Sequence, residues 1–298
     1  MKRLLLALVL LLAACAGGGP ARDAKGERPT IVSLNPCSDA ILAEVAAPEQ
    51  LLAISHYSKD PRSSSMKAAT AARFAATGGT VEEVLALDPD VVVAGSFLAP
   101  ATRAAFADLG IEVVTLDIAG DVMASAAQVR AMAELAGNRA AGERLVARIE
   151  RALAEARPRD DERVDVLLWQ PGGIVAGEQA LVSDLLVRTG FANVAPSRGL
   201  SQADYVALED VVAAPPQVLL VAGSAAGQRH PVLDALPEMR RERFDTGLLY
   251  CGGPTIIRAA RRLAEIRKSV SSRAGGDLGR HARRPLGGGP RLREGSGS

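Results

Sequence analysis

The sequence predicts an α/β protein of two similar lobes with a ligand cleft between them. One observation carries most of this. Residues 81–95 read VEEVLALDPDVVVAG and residues 208–223 read LEDVVAAPPQVLLVAG, about 127 positions apart. Each copy runs from an apolar residue and two acids through a short amphipathic stretch to a proline, then an apolar run ending in Ala-Gly. Pro89 and Pro216 break a helix. The runs behind them, Val91-Val92-Val93 and Val218-Leu219-Leu220-Val221, suit strands buried on both faces of a parallel sheet. The alternative is two unrelated αβ units that look alike because such units are common. The second observation is alternation of strands and helices on both sides of a long helical stretch, which implies mostly parallel sheets. Two lobes make a cleft, and clefts hold ligands.

Strands are expected at 30–34, 51–55, 91–94 and 112–116, with helices at 38–47, 81–87 and 99–109. Ser38 or Asp39 is a candidate cap for the first helix. The strands then stop. A helix over 121–135 ends at Gly137-Asn138, and a second covers 139–157 with Leu145, Ile149, Leu153 and Ala156 in one stripe. Nineteen helical residues reach roughly 28 Å, enough to cross between lobes. Strands resume at 164–169 and 218–222, with helices at 180–189, 206–213 and 255–268, and a last strand at 247–251.

The termini differ from this body. Met1-Lys2-Arg3 is a basic start, and residues 4–14 are an apolar run of signal-peptide length, too short for a permanent span. Leu12-Ala13-Ala14-Cys15 resembles the bacterial lipobox, which implies a lipidated Cys15 as mature N-terminus; an ordinary secretory signal is the alternative. Residues 16–28 read as a flexible tether. Residues 271–298 are Arg- and Gly-rich and read as a disordered tail. Between them lie an N-terminal lobe (29–120), a helical linker (121–158) and a C-terminal lobe (159–270). The 35 basic and 34 acidic residues nearly cancel, and aromatics are 3% of the chain, so nothing points to nucleic acid.

In open α/β sheets the ligand sits at the carboxyl ends of the strands. In the first lobe this selects Asn35, Pro36, Cys37 and Ser38, then His56 and Tyr57, then Ser96 and Phe97. In the second it selects Trp169, Gln170, Pro171 and Gly172, then Ser224, Arg229 and His230, then Cys251, Gly252 and Gly253. Trp169 either packs against a flat macrocycle or fills the lobe core. His56 could ligate a macrocycle-bound metal and Tyr57 could serve as a phenolate ligand. Arg229 and His230 could hold ligand charge or sit in a solvated loop. Cys37 and Cys251 admit three readings: a disulfide, two separate buried thiols, or ligand contact. No CxxC or HxxxH spacing supports a resident metal site, and no cofactor is expected beyond the ligand itself. Enzyme signatures such as G-x-S-x-G, Walker A or G-x-G-x-x-G after the first strand are missing from the sequence; an enzyme or a tethered sensor on the same cleft remains the rival class.

The order of SLNPCSD, VEEVLALDPDVVVAG, one crossing helix, WQPGG and LLYCGGP, behind a lipobox, resembles the substrate-binding proteins of ABC importers for vitamin B12, haem and ferric siderophores. The resemblance covers residues 28–268. It implies two Rossmann-like lobes joined by one long rigid α-helix, limited hinge motion, and a monomer that hands its ligand to a membrane permease. It also implies that one exposed glutamate per lobe docks on permease arginines. Block by block these fall on Glu82 and Glu209, with Glu83 and Asp210 as the fallback pair. Three histidines argue for a metal chelate or corrinoid as ligand rather than a bare ion.

Overall fold

A computed structural model describes residues 28–201 and 204–281, with side chains to Ser271. The signal segment, Cys15, the tether to residue 27 and residues 282–298 lie outside the described residues.

The N-terminal lobe is a five-stranded parallel sheet in the order β3-β2-β1-β4-β5. Its strands are β1 (Ile31–Ser33), β2 (Leu51–Ser55), β3 (Ala75–Thr77), β4 (Val91–Gly95) and β5 (Glu112–Leu116). Between them run helices α1 (Pro36–Val45), α2 (Ala68–Ala71), α3 (Val81–Ala86) and α4 (Pro100–Asp108). Helix α1 begins at Pro36, whose missing N–H suits a first turn. Its cap is Asn35, whose Oδ1 accepts from the Cys37 amide at 2.7 Å. Ser38 and Asp39 therefore do not cap it; both lie buried one turn further on.

Two helices follow, α5 (Val122–Leu135) and α6 (Arg139–Ala156). Asn138 caps α6 by accepting from the Ala141 amide. Its eighteen residues reach about 27 Å. The buried stripe Ala141, Leu145, Val146, Ile149 and Ala152 faces α1 of the first lobe and the C-terminal helix of the second. Burial of each large aliphatic contributes about 1.5–3 kcal/mol, so α6 is a packed strut rather than a loose linker.

The C-terminal lobe is a four-stranded parallel sheet in the order β7-β6-β8-β9. It comprises β6 (Val164–Trp169), β7 (Phe191–Asn193), β8 (Val218–Ala222) and β9 (Arg240–Phe244), with helices α7 (Leu181–Arg188), α8 (Val194–Ser197), α9 (Leu208–Ala213) and α10 (Thr255–His281). The last helix thus runs past the expected end at Lys268 and into the segment read as a disordered tail. One further expectation is corrected here. Residues 247–251 form no strand: Asp245 caps a 3-10 turn over Thr246–Leu248 by accepting from the Gly247 amide. The last strand is instead β9, with sequence RRERF.

The two faces of each sheet bury different clusters, as the pleat requires. Ile31, Val91 and Val93 face the central core, whereas Val32 and Val92 face an outer cluster with Phe106. The central core is continuous: Ile41, Ile149, Leu168, Leu185 and Ile256 belong to one cluster that runs from lobe to lobe.

Candidate functional site

In the N-terminal sheet the chain leaves β1 for β2 on one side and later fills β4 on the other. That reversal makes a switch point at the carboxyl ends of β1 and β4, where open α/β sheets place their ligands. Asn35 follows β1 there and Gly95 closes β4. A Cβ on Gly95 would stand 2.5 Å from Asn35 Nδ2, so glycine lets the carboxamide lie across the strand end.

A cavity of about 270 Å³ opens at this point between the lobes. Its N-terminal wall is Asn35, Cys37, Gly95, Ser96, Phe97, the segment Leu116 to Ala119, and Gln128. Its C-terminal wall is Leu168, Gln170, Ile174 to Ala176, Gln179 to Val182, and Leu249 to Gly252. The structure thus gathers seven of the residues selected from sequence: Asn35, Cys37, Ser96, Phe97, Gln170, Cys251 and Gly252. The wall residues missed were those after β5 and those leading into α7. Leu116 to Ala119 were recoverable by the strand-end rule. Gln179 was not, because it reaches the cleft from a loop before a helix.

The other candidates lie elsewhere. Trp169 is 3% exposed and points to the outer cluster with Leu167, its Nε1 donating to the Val206 carbonyl at 2.9 Å. The core alternative therefore holds, and strand parity is the reason: Trp169 shares a face with Leu167, two positions back. Ser38 is buried in the first turn of α1, bonded to Ser33 Oγ at 2.7 Å and donating to the Asn35 carbonyl at 2.9 Å. Pro36 starts α1 and does not line the cavity. His56 and Tyr57 stand beyond β2, their rings 4.0 Å apart, with His56 Nδ1 donating to the Thr77 carbonyl. Pro171 packs over Gly223, and Gly172 turns the chain with positive φ.

Ser224, Arg229 and His230 are exposed and off the cavity. The reason is Gln228, which the sequence did not flag. It is buried, donates from Nε2 to the carbonyls of Trp169 and Ala222, and accepts from the Ala225 amide. It closes the gap between β6 and β8 and holds the following loop away. Gly253 likewise serves packing, donating its amide to Ser125 Oγ at 2.7 Å.

Cys37 and Cys251 form a disulfide, with Cα atoms 5.1 Å apart. It joins the first turn of α1 to the segment before α10, at the edge of the cavity. The separate-thiol reading is thereby set aside. Around it, Tyr250 Oη donates to the Arg62 carbonyl at 2.7 Å, and Arg258 donates to the Ser65 carbonyl. Gly252 approaches Ser125 so closely that a Cβ would stand 2.2 Å from Oγ.

The two repeats have equivalent local chemistry. Glu83 accepts from Thr77 Oγ1 and the amides of Gly78 and Gly79, which hold its carboxyl below the usual range. Asp210 accepts from the Ala207 amide. The acids before them, Glu82 and Glu209, are exposed and have no hydrogen-bond or ion-pair partner among the described residues. Among the described residues no group of three His, Cys, Asp or Glu side chains could hold a metal, and no helix is long and apolar enough to cross a membrane.

Known structures share this architecture. The periplasmic heme-binding protein RhuT from Roseiflexus sp. RS-1, in apo form, superposes with TM-score 0.62 at 22% identity, over 82% of this chain and 98% of that one. The vitamin B12 binding protein BtuF of Vibrio cholerae gives 0.63 at 17% identity, over 81% and 97%. The heme-binding protein HutB of Vibrio cholerae gives 0.64 at 17% identity, over 80% and 98%. No curated protein matches the chain. At sequence level, the profile of one family, Periplasmic binding protein, matches residues 31–244. With that match spanning most of both lobes, the chain belongs to the periplasmic binding protein family.

Proposed function

We propose that this protein is the extracytoplasmic solute-binding component of an ABC importer, taking an iron chelate, haem or a corrinoid and delivering it to a permease. The observation that carries this reading is the cavity at the switch point, walled by both lobes and edged by exposed Phe97 and Ile118, 85% and 75% accessible. Large apolar side chains left open beside a cleft suit a ligand with an apolar face. At about 270 Å³ the cavity is smaller than a macrocycle needs, so such a ligand seats one edge in it and rests on that rim. The protein acts as a monomeric carrier, not an enzyme. Cys15 carries the lipid anchor, on the strength of the lipobox-like sequence before it. The permease contacts are Glu82 and Glu209, because their neighbours Glu83 and Asp210 are already engaged at their own helix starts.

Native mass spectrometry of the full chain in detergent, offered cobalamins, haem and ferric siderophores, tests the reading. A saturable one-to-one complex with any of them is expected; no complex with any of them overturns it. Replacing Cys15 by Ala should release the protein from membranes, and retention of that variant would refute the anchor.

A further inference from the structure

The wall of the cleft has a definite charge character. Four carboxamides, Asn35, Gln128, Gln170 and Gln179, reach the cavity. Gln128 Nε2 donates to the Asp117 carbonyl at 2.6 Å, which leaves its oxygen as an acceptor. The side-chain amides of Gln170 and Gln179 have no hydrogen-bond partner among the described residues, so each presents both donors and an acceptor. The one ionisable side chain among the described lining residues, apart from the Tyr250 phenol, is Asp117. Its carboxylate has no partner among the described residues. Lys, Arg and His do not line the cavity among the described residues; Arg229 and His230, the cations expected there, are held off by the Gln228 clasp.

An anion entering this cavity can accept from the carboxamide N–H groups, but it loses hydration, gains no cation and meets the Asp117 carboxylate, so the balance opposes it. An uncharged ligand bearing amide or hydroxamate groups meets matched donors and acceptors. A cationic one gains Asp117 as counter-charge. Phe97 and Ile118 supply the apolar contact in either case.

Taking the cleft as the solute site proposed above, we infer that it selects by charge: it accepts an uncharged or cationic, amide-bearing chelate or macrocycle and discriminates against polyanionic ones. Asp117 is the specificity-determining residue.

The test is a set of titrations of the full chain in detergent, at low ionic strength, with four probes. Cyanocobalamin is uncharged, a ferric trishydroxamate bearing a free amine is cationic, haem carries two propionates, and a ferric triscatecholate is trianionic. The inference expects an uncharged or cationic probe to bind at least ~tenfold tighter than either anionic one, and Asp117→Lys to narrow or reverse that ranking. Equal affinity for all four, or preference for an anion, overturns the charge selection while leaving the carrier reading intact. An unchanged ranking in Asp117→Lys overturns the role of that residue. Failure of every probe to bind removes the carrier reading, and this inference with it. Asp117 is exposed after β5, so its replacement leaves the core untouched.

Discussion

Cys37 and Cys251, 214 positions apart in sequence, are joined across the two lobes. The crossing helix α6 holds the lobes through packing; this bond holds them covalently at the cleft itself. In the chain-entropy picture a loop of that length lowers the freedom of the unfolded chain by roughly 5 kcal/mol. Replacing both cysteines by Ser should lower the Tm sharply, and adding reductant to the native protein should reproduce the drop. Calorimetry with and without reductant checks both. Equal Tm values in all three conditions would mean that the bond does not stabilise the protein by restricting its unfolded chain.

Asp39 predicts an unusual pH dependence. It is fully buried; Oδ2 accepts from Ser58 Oγ at 2.6 Å and from the Ser55 amide at 3.0 Å, while Oδ1 has no partner among the described residues. Burial pushes its pKa from 3.8 up to about 7, against the lowering effect of neighbouring Ser33, Ser58 and Ser55. Because the folded value lies above the unfolded one, the folded state keeps a proton that the unfolded chain has lost. The contribution to stability is therefore fully present below pH 3.8 and is lost as pH rises towards 7. The whole loss is on the order of 4 kcal/mol. Asp39→Asn should flatten the Tm profile across that window. A slope equal to that of the native protein would locate the titration elsewhere.

Most of the strands legible in the sequence were those buried on two faces. Strands β1, β2, β4, β6 and β8 form the sheet interiors and read as apolar runs. Strands β3, β7 and β9 are sheet edges that hydropathy does not mark, whereas the edge strand β5 is readable from its Val113-Val114 pair. Arg240 and Glu242 in β9 pair with each other at 2.6 Å, and Arg262 of α10 reaches Glu242 at 3.1 Å, so that strand is held by ladder bonds and ion pairs. Conversely, the apolar Leu248-Leu249-Tyr250-Cys251 run imitated a strand because it packs against the other lobe around a disulfide. The cleft was half legible for a related reason. Strand ends locate Asn35, Ser96 and Gln170, but only packing reveals that Gln228 closes the gap between β6 and β8.

The repeat predicts a division of labour among four acids. Glu83 and Asp210 serve their helix starts, whereas Glu82 and Glu209 stay available for a partner. Reversing Glu82 and Glu209 together to Lys should lower ligand import at least ~tenfold with ligand affinity and Tm unchanged, since rim charges act on docking. Glu83→Ala should instead lower Tm, having removed three hydrogen bonds. Uptake in whole cells, paired with melting curves, separates the two. Normal import by the double reversal would refute the docking assignment.

Trp169 and Gln170 are adjacent and should behave oppositely. The pleat turns Trp169 into the outer cluster and Gln170 towards the cavity. Trp169→Phe leaves the Val206 carbonyl without its indole donor in a buried setting, which costs about 1–3 kcal/mol. It should lower Tm and leave ligand affinity within twofold. Gln170→Ala sits at a half-buried wall position and should leave Tm nearly unchanged while weakening binding ~tenfold, the expected loss for one good polar contact. Titration and melting of both variants check the pair. If Trp169→Phe were the variant that lost affinity, the indole would have to face the ligand, and the side of β6 that lines the cleft would need to be reassigned.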